Sequence, residues 1–135
     1  MSRVLALDYG EARCGAAVSD PTGTLATPLA AIERAGSRRG LERVSRLVRA
    51  EKVERVVVGL PLTLAGEEGE QARATREWAA RLGELVSVPV ELHDERLTTR
   101  QAEQTGGRAD ADSRAAAHLL ESWLAHGPRA GPPAR

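Results

Sequence analysis

Acidic side chains stand at three places in this chain where packing alone gives them no reason to be. Asp8 closes an apolar run within LALDYGEARCGAAVSD, the stretch from Leu5 to Asp20. Asp94 and Glu95 close another, in HDERLTT. Asp112 heads DSRAAAHLLESWL, where Asp112, Ala116, Leu119 and Trp123 fall at i, i+4, i+7 and i+11. On a helix that spacing puts Asp112 on the face that packs inward. If the first and fifth strands lie near one another, three carboxylates from distant parts of the chain meet at one edge of a sheet. Like charges at a partly buried place raise one another's pKa, and desolvation adds to the cost. A divalent cation resolves the conflict. Oxygen donors with no His or Cys pair beside them favour Mg²⁺ or Mn²⁺ over zinc. Two such ions, about 4 Å apart, suit in-line hydrolysis of a phosphodiester.

Each acid also has a plainer reading. Asp8 before Gly10 fits a turn aspartate bonded to its own backbone, Asp112 fits a helix N-cap, and Asp94 or Glu95 fits a surface pair with Arg96 or Arg100. Periodicity leaves the choice between Asp94 and Glu95 open, as it does whether Asp94 or Asp110 assists.

These residues need elements to hold them. Residues 4–7 and 14–18 are continuous apolar runs, the pattern of strands covered on both faces, and the tight turn between them predicts a hairpin. Residues 24–32 supply a third strand after the Pro21 and Gly23 turn. From Ser37 the period changes to that of a helix, with Leu41, Val44, Leu47 and Val48 on one side. A buried strand over 53–60, a helix over 67–86, a fifth strand over 88–93 and a last helix over 112–125 complete the order. Three strands in series, then strands alternating with helices, predict an α/β domain over residues 1–126 with a mixed five-stranded sheet and helices on its faces. The tail 127–135 (GPRAGPPAR) has little to bury and is expected to be disordered.

Composition narrows the class further. With 135 residues and formal net charge zero, there is one core and no global basic field of the kind that draws many nucleic-acid binders to phosphate. Phe is absent and there are only two Trp and one Tyr, so Val, Leu and Ala must build the core. The single cysteine, Cys14, excludes an intrachain disulfide and reads as a small buried side chain. No apolar run approaches the roughly 20 residues that span a bilayer, and no leader pattern opens the chain, so the expectation is a cytoplasmic protein without membrane contact. His93, His118 and His126 share no ligand spacing.

Four blocks together resemble the YqgF family, also called RuvX, of the RNase H-like superfamily: LALDYGEARCGAAVSD, VVVGLPLTLAGEEGEQA, DERLTT and DSRAAAHLLESWL. They run in the family's order from Arg3 to about Ala125. The resemblance implies an RNase H-like fold of order βββαβαβα, which agrees with the pattern above. It implies a nuclease site of Asp8, Glu95 and Asp112 holding Mg²⁺ or Mn²⁺, and it alone favours Glu95 over Asp94. Members are described as nucleases in maturation of the 5′ end of small-subunit rRNA, and some as resolvases of four-way DNA junctions. In the second block the family commonly has Asn and Asp where this chain has Thr63 and Ala65, which bears on substrate contact by the 62–69 loop. Expected substrate contacts are Gly10 and Gly15, where a turn without side chains admits the nucleic-acid backbone, Arg13 and Arg96, which face phosphates, Gly66 in the loop, and Thr98 and Thr99, which otherwise cap a short helix.

The leading expectation is thus a metal-dependent endonuclease acting on structured RNA or branched DNA, and a resolvase of a symmetric junction further requires a homodimer. Two other readings compete. D-x-G with a following glycine is also similar to the phosphate loop of the actin and sugar kinase superfamily, but those proteins close two such domains around ATP and this chain has material for one. A nucleic-acid-binding module without catalysis is the third, and the presence of all three acids counts against it.

Overall fold

The computed structural model describes residues 3–97 and 108–126. The elements are β1 (Val4–Asp8), β2 (Arg13–Ser19), β3 (Ala26–Glu33), α1 (Arg38–Ala50), β4 (Arg55–Leu60), α2 (Glu70–Leu85), β5 (Val90–Asp94), a single 3-10 turn at Glu95–Leu97, and α3 (Arg108–His126). They form one five-stranded sheet in the order β3-β2-β1-β4-β5. β1, β2 and β3 make an antiparallel meander, while β4 and β5 run parallel to β1. The βββαβαβα order and the mixed sheet read from the sequence are therefore those of the structure.

β1 reads as an unbroken apolar run because it is the central strand, covered on both sides. Leu5 and Leu7 point into the larger core with Leu41, Val44 and Val48 of α1 and Trp78, Ala79 and Leu82 of α2. Val4 and Ala6 point the other way, into a smaller core with Ala17, Val57, Ala116, Leu119, Leu120 and Trp123. Alternation along the strand makes this division automatic. The second core is built largely of alanine, which lets α3 lie close against the sheet. Trp78 and Trp123 are both buried, as is Cys14.

Several boundaries depart from the sequence reading, among them β5, which runs Val90–Asp94 and so starts two residues later than expected. β3 begins at Ala26 because the Asp20 carboxylate holds a turn, accepting from the backbone N–H groups of Thr24 and Leu25 at 2.8 and 3.0 Å. β4 begins at Arg55 because the chain leaves α1 through Lys52 at φ 54°, a left-handed turn residue. α2 begins at Glu70, so residues 67–69 belong to the loop before it. α3 begins at Arg108, four residues ahead of Asp112. Asp112 is thus inside the helix, and its reading as an N-cap is overturned. No helix among the described residues is long and apolar enough to cross a membrane. The tail 127–135 and the short helix expected from Thr98 lie outside the described residues.

Candidate active site

Asp8 is the last residue of the central strand and shares the side of Val4 and Ala6, so it faces α3. Its register partner on β2 is Gly15. On the other flank the β1–β4 register ends with Leu7 opposite Val58, which places Gly59 next to Asp8. The aspartate therefore sits between two glycines, each about 4.8 Å away across the sheet.

Those glycines are where the other two acids arrive. A Cβ on Gly15 would collide with the backbone carbonyl of Asp112. A Cβ on Gly59 would stand 2.5 Å from Oε2 of Glu95. The row Gly15–Asp8–Gly59 is thus covered by α3 at one end and by the Glu95 side chain at the other. Ordinary side chains at either position would drive the acids away from Asp8. This also changes the account of Gly15: the space it leaves is filled by α3 and does not admit substrate. Gly10 likewise makes room for the chain itself, since a Cβ there would lie 2.7 Å from the Arg13 carbonyl oxygen.

Arg13, at the start of β2, reaches Asp112 with Nη1 3.3 Å from Oδ2, and its Nε lies 3.4 Å from Glu33 Oε2. It therefore holds Asp112 at the edge of the site. Beneath, burial pushes the Cys14 thiol far above its usual range, and the charges of Asp8 and Asp112 push it the same way. Cys14 is a packed thiol with no nucleophilic role.

Asp94 goes elsewhere. Its register partner is Leu60, which faces the larger core, so Asp94 points away from α3. Arg96 grips it through Nε and Nη2, at 3.0 and 2.6 Å from Oδ2, and that pairing holds the Asp94 carboxyl below its usual range. The same guanidinium donates from Nη1 to the Leu64 carbonyl at 3.3 Å and stands over Gly66, whose φ of 86° is a left-handed turn conformation. Arg96 thereby anchors the loop 61–69 beside the site. Within that loop, Thr63 Oγ1 accepts from the Glu67 N–H at 3.1 Å, so Thr63 shapes the turn, and Leu64 at its tip is 95% exposed.

Among the described residues, no three His, Cys, Asp or Glu side chains stand close enough together to hold a metal ion. The structure brings the backbone positions of Asp8, Glu95 and Asp112 to one row, while Arg13 draws the Asp112 carboxylate aside. Thr98 and Thr99 lie outside the described residues, as does the side chain of Asp110.

Two features escaped sequence reasoning. Glu91 on β5 is 1% exposed, paired to Arg55 and accepting from Trp123 Nε1 at 2.7 Å. Polar residues alternating at 91 and 93 signalled a distinct face on β5, but only α3 makes that face an interior. Trp78 stacks on Tyr9 at 4.5 Å between centroids and donates to the Ala35 carbonyl at 2.8 Å. It therefore fixes the residue after Asp8 from the opposite side of the sheet.

A mixed sheet in this order, with an acid ending its central strand, another just past the edge strand and a third on the last helix, defines a chain of the RNase H-like class. The structure of Thermus thermophilus RuvC in complex with a Holliday junction substrate superposes with a TM-score of 0.63 at 16% identity, covering 98% of this chain and 99% of that one. The chain belongs to the RuvX family, whose model, described as Holliday junction resolvase, matches residues 2–126. Similar proteins include one from Chloroflexus aurantiacus, 42% identical over 130 residues, spanning 90% of this chain and 85% of the relative. Another, from Sulfurihydrogenibium, is 41% identical over 133 residues, spanning 92% and 90%. Both carry the name "Putative pre-16S rRNA nuclease". The family assignment makes nucleic-acid hydrolysis the function class of this chain.

Proposed function

We propose that the chain is a Mg²⁺- or Mn²⁺-dependent endonuclease whose metal-binding and catalytic acids are Asp8, Glu95 and Asp112, acting in the cytoplasm on structured nucleic acid. The observation that supports this reading is the row Gly15–Asp8–Gly59, with Asp112 over one glycine and Glu95 over the other. An acid at the end of a buried strand, flanked by two glycines that are covered by the Asp112 backbone on one side and the Glu95 side chain on the other, has no packing advantage. Its all-oxygen donor chemistry suits hard cations, and to join Asp8 and Glu95 the Asp112 carboxylate would have to turn from Arg13. Bound ions would supply Lewis-acid activation of water and neutralisation of phosphate charge.

The chain's own groups do the remaining work. Glu95 enters from a 3-10 turn whose direction is set by the Arg96–Asp94 grip on the residues beside it. Arg13 holds Asp112 and stands ready to face a phosphate, being one-third exposed. The 61–69 loop, anchored through Arg96, lies beyond the C-terminal end of β4, where open α/β sheets bind ligands, and substrate contact there falls to Gly66 and its neighbours.

Cleavage of a four-way DNA junction and of a pre-16S rRNA fragment, each in Mn²⁺, Mg²⁺ or EDTA, tests the proposal and separates the two substrates. Paired symmetric nicks in the junction would assign a resolvase and require a homodimer, whereas cleavage confined to RNA would assign ribosome maturation. Glu95→Gln is expected to abolish cleavage and Asp94→Asn to leave most of it. The opposite result would move the middle acid to Asp94, and metal-independent cleavage would remove the cation from the reaction.

A further inference from the structure

The zero net charge of the chain is unevenly spread. Arg34, Arg38, Arg39 and Arg43 line an open cleft of about 590 Å³ with Glu33 and Ser37. All four arginines are exposed. Five arginines elsewhere are paired: Arg3 with Glu51, Arg13 with Asp112, Arg55 with Glu91, Arg76 with Glu68 and Arg96 with Asp94. Among the described residues, none of the four cleft guanidiniums forms an ion pair. The one acid in the cleft, Glu33, lies 3.4 Å from Arg13 instead.

Stability gives no reason for this arrangement. Arg38 and Arg39 occupy the first turn of α1, which carries no acid, and cations there oppose the helix dipole. The helix N-terminus is already capped by Ser37 Oγ, which accepts from the Gly40 N–H at 3.0 Å. Leu41, Val44 and Val48, on the far side of α1, do the packing. Four like charges crowded on one exposed corner therefore destabilise the fold slightly, and a polyanion would offset them.

Position identifies which part of the molecule the corner serves. Glu33 is in register with Arg13, so β3 ends at the same sheet edge where β1 ends in Asp8. The Arg34 N–H donates to the Ala12 carbonyl at 2.7 Å and the Gly36 N–H to the Glu11 carbonyl at 3.1 Å. The arginine corner is thus bonded directly to the turn that follows Asp8. It lies on the α1 side of the sheet, whereas the acids face α3.

We infer that this cleft grips the phosphate backbone of the nucleic acid flanking the cut, a role that rests on the nuclease reading above and adds to it the residues that carry non-specific affinity. Guanidinium forks match phosphate oxygens bidentately. Contacts of this kind set register and affinity without reading sequence. The active edge then engages one substrate from both faces of the sheet, the acids at the scissile phosphate and the arginines on neighbouring ones.

The test is binding of a fluorescently labelled four-way DNA junction in EDTA, where metal-dependent cleavage is silent, titrated across salt concentrations. Each phosphate contact contributes about 0.9 to the slope of log affinity against log salt. The variant R38Q/R39Q/R43Q is expected to lower that slope by roughly 2 to 3 and to weaken binding roughly 10- to 100-fold at low salt. R49Q/K52Q, at the other end of α1, should leave both unchanged. In cleavage assays the triple variant should raise KM and keep kcat. An unchanged slope in the triple variant, or an equal loss in R49Q/K52Q, overturns the inference while a cleaving wild type keeps the nuclease reading. An arginine-dependent slope in a wild type that cleaves nothing with any metal keeps the cleft and removes the nuclease reading. A wild type that binds no junction overturns the cleft.

Discussion

Two carboxylate-bearing regions lie on the α3 side of the same sheet, and they are built in opposite ways. At Glu91 the acid is buried under α3 and answered within the fold: Arg55 pairs with it, the Trp123 indole donates to it, and the Arg55 guanidinium lies 5.8 Å from the Trp123 ring. Four residues further along β5 and the turn after it, roughly 13 Å at strand spacing, Glu95 lies over Gly59, the glycine beside Asp8. There the neighbours of Asp8 are glycines, and Asp112 is held at the rim by a partly exposed arginine. The first region neutralises its charge with permanent partners and so belongs to stability. The second brings three acids from distant parts of the chain to one partly open edge, the arrangement on which the proposed nuclease site rests.

That contrast is sharpest in a pair of substitutions expected to fail in opposite assays. Asp8→Asn, nearly isosteric, should lower cleavage by at least ~10³-fold, since on the proposed reading it removes a charge that would hold the cation, and leave the thermal unfolding midpoint within a degree or two. Glu91→Ala strands Arg55 and the indole N–H, and should cost about 3 to 5 kcal/mol in denaturant unfolding with unchanged activity per folded molecule. Equal losses of stability in both would erase the distinction.

The two glycines beside Asp8 divide the same way. Gly15→Ala meets helix backbone that cannot swing aside, and should destabilise by about 3 kcal/mol, the upper end for overpacking. Gly59→Ala meets the tip of a side chain, so about 1 kcal/mol or less is expected in unfolding, together with a loss of cleavage on the order of 10²-fold from displacing Glu95. A Gly59→Ala protein with full activity would show that the place of Glu95 over Gly59 does not matter to catalysis.

Within the buried region alone, Trp123→Phe keeps the packing and deletes the donor to Glu91. A loss of about 1 to 3 kcal/mol is expected, the cost of an unsatisfied buried acceptor, with cleavage kinetics unaffected. The smallest effect lies outside both regions. Asp20 is held down to about 2 by the Thr22 hydroxyl and the Leu25 and Thr24 amides. A depressed carboxyl stabilises the fold at pH above its ordinary value near 3.8 and loses that contribution as pH falls toward 2. Asp20→Asn should therefore flatten acid unfolding over that window and leave stability at pH 7 lower, without touching cleavage.

Much of this site was legible before folding. Asp8 ends an apolar run that only a central strand explains, and the i, i+4, i+7, i+11 series placed Asp112 on the packing face of its helix, where Ala116, Leu119 and Trp123 are buried. The N-cap reading of Asp112 failed because the helix continues upstream to Arg108, through residues with no apolar period to announce it. Asp94 and Glu95 were inseparable because adjacent residues differ only in the face they take, and facing is decided by the pairing of Asp94 with Leu60. Gly15 and Gly59 were visible as glycines, but what fills the space they leave belongs to other parts of the chain.

By itself the sequence determined the order of elements, the candidate acids and the family, since periodicity, turn residues and motif spacing are local properties. Only the tertiary structure decided that Glu91 is buried and answered, that Gly15 serves a helix, and that four exposed arginines share an edge with Asp8. Each of those depends on contacts between segments tens of residues apart, and local pattern carries no record of which distant segment will cover a face.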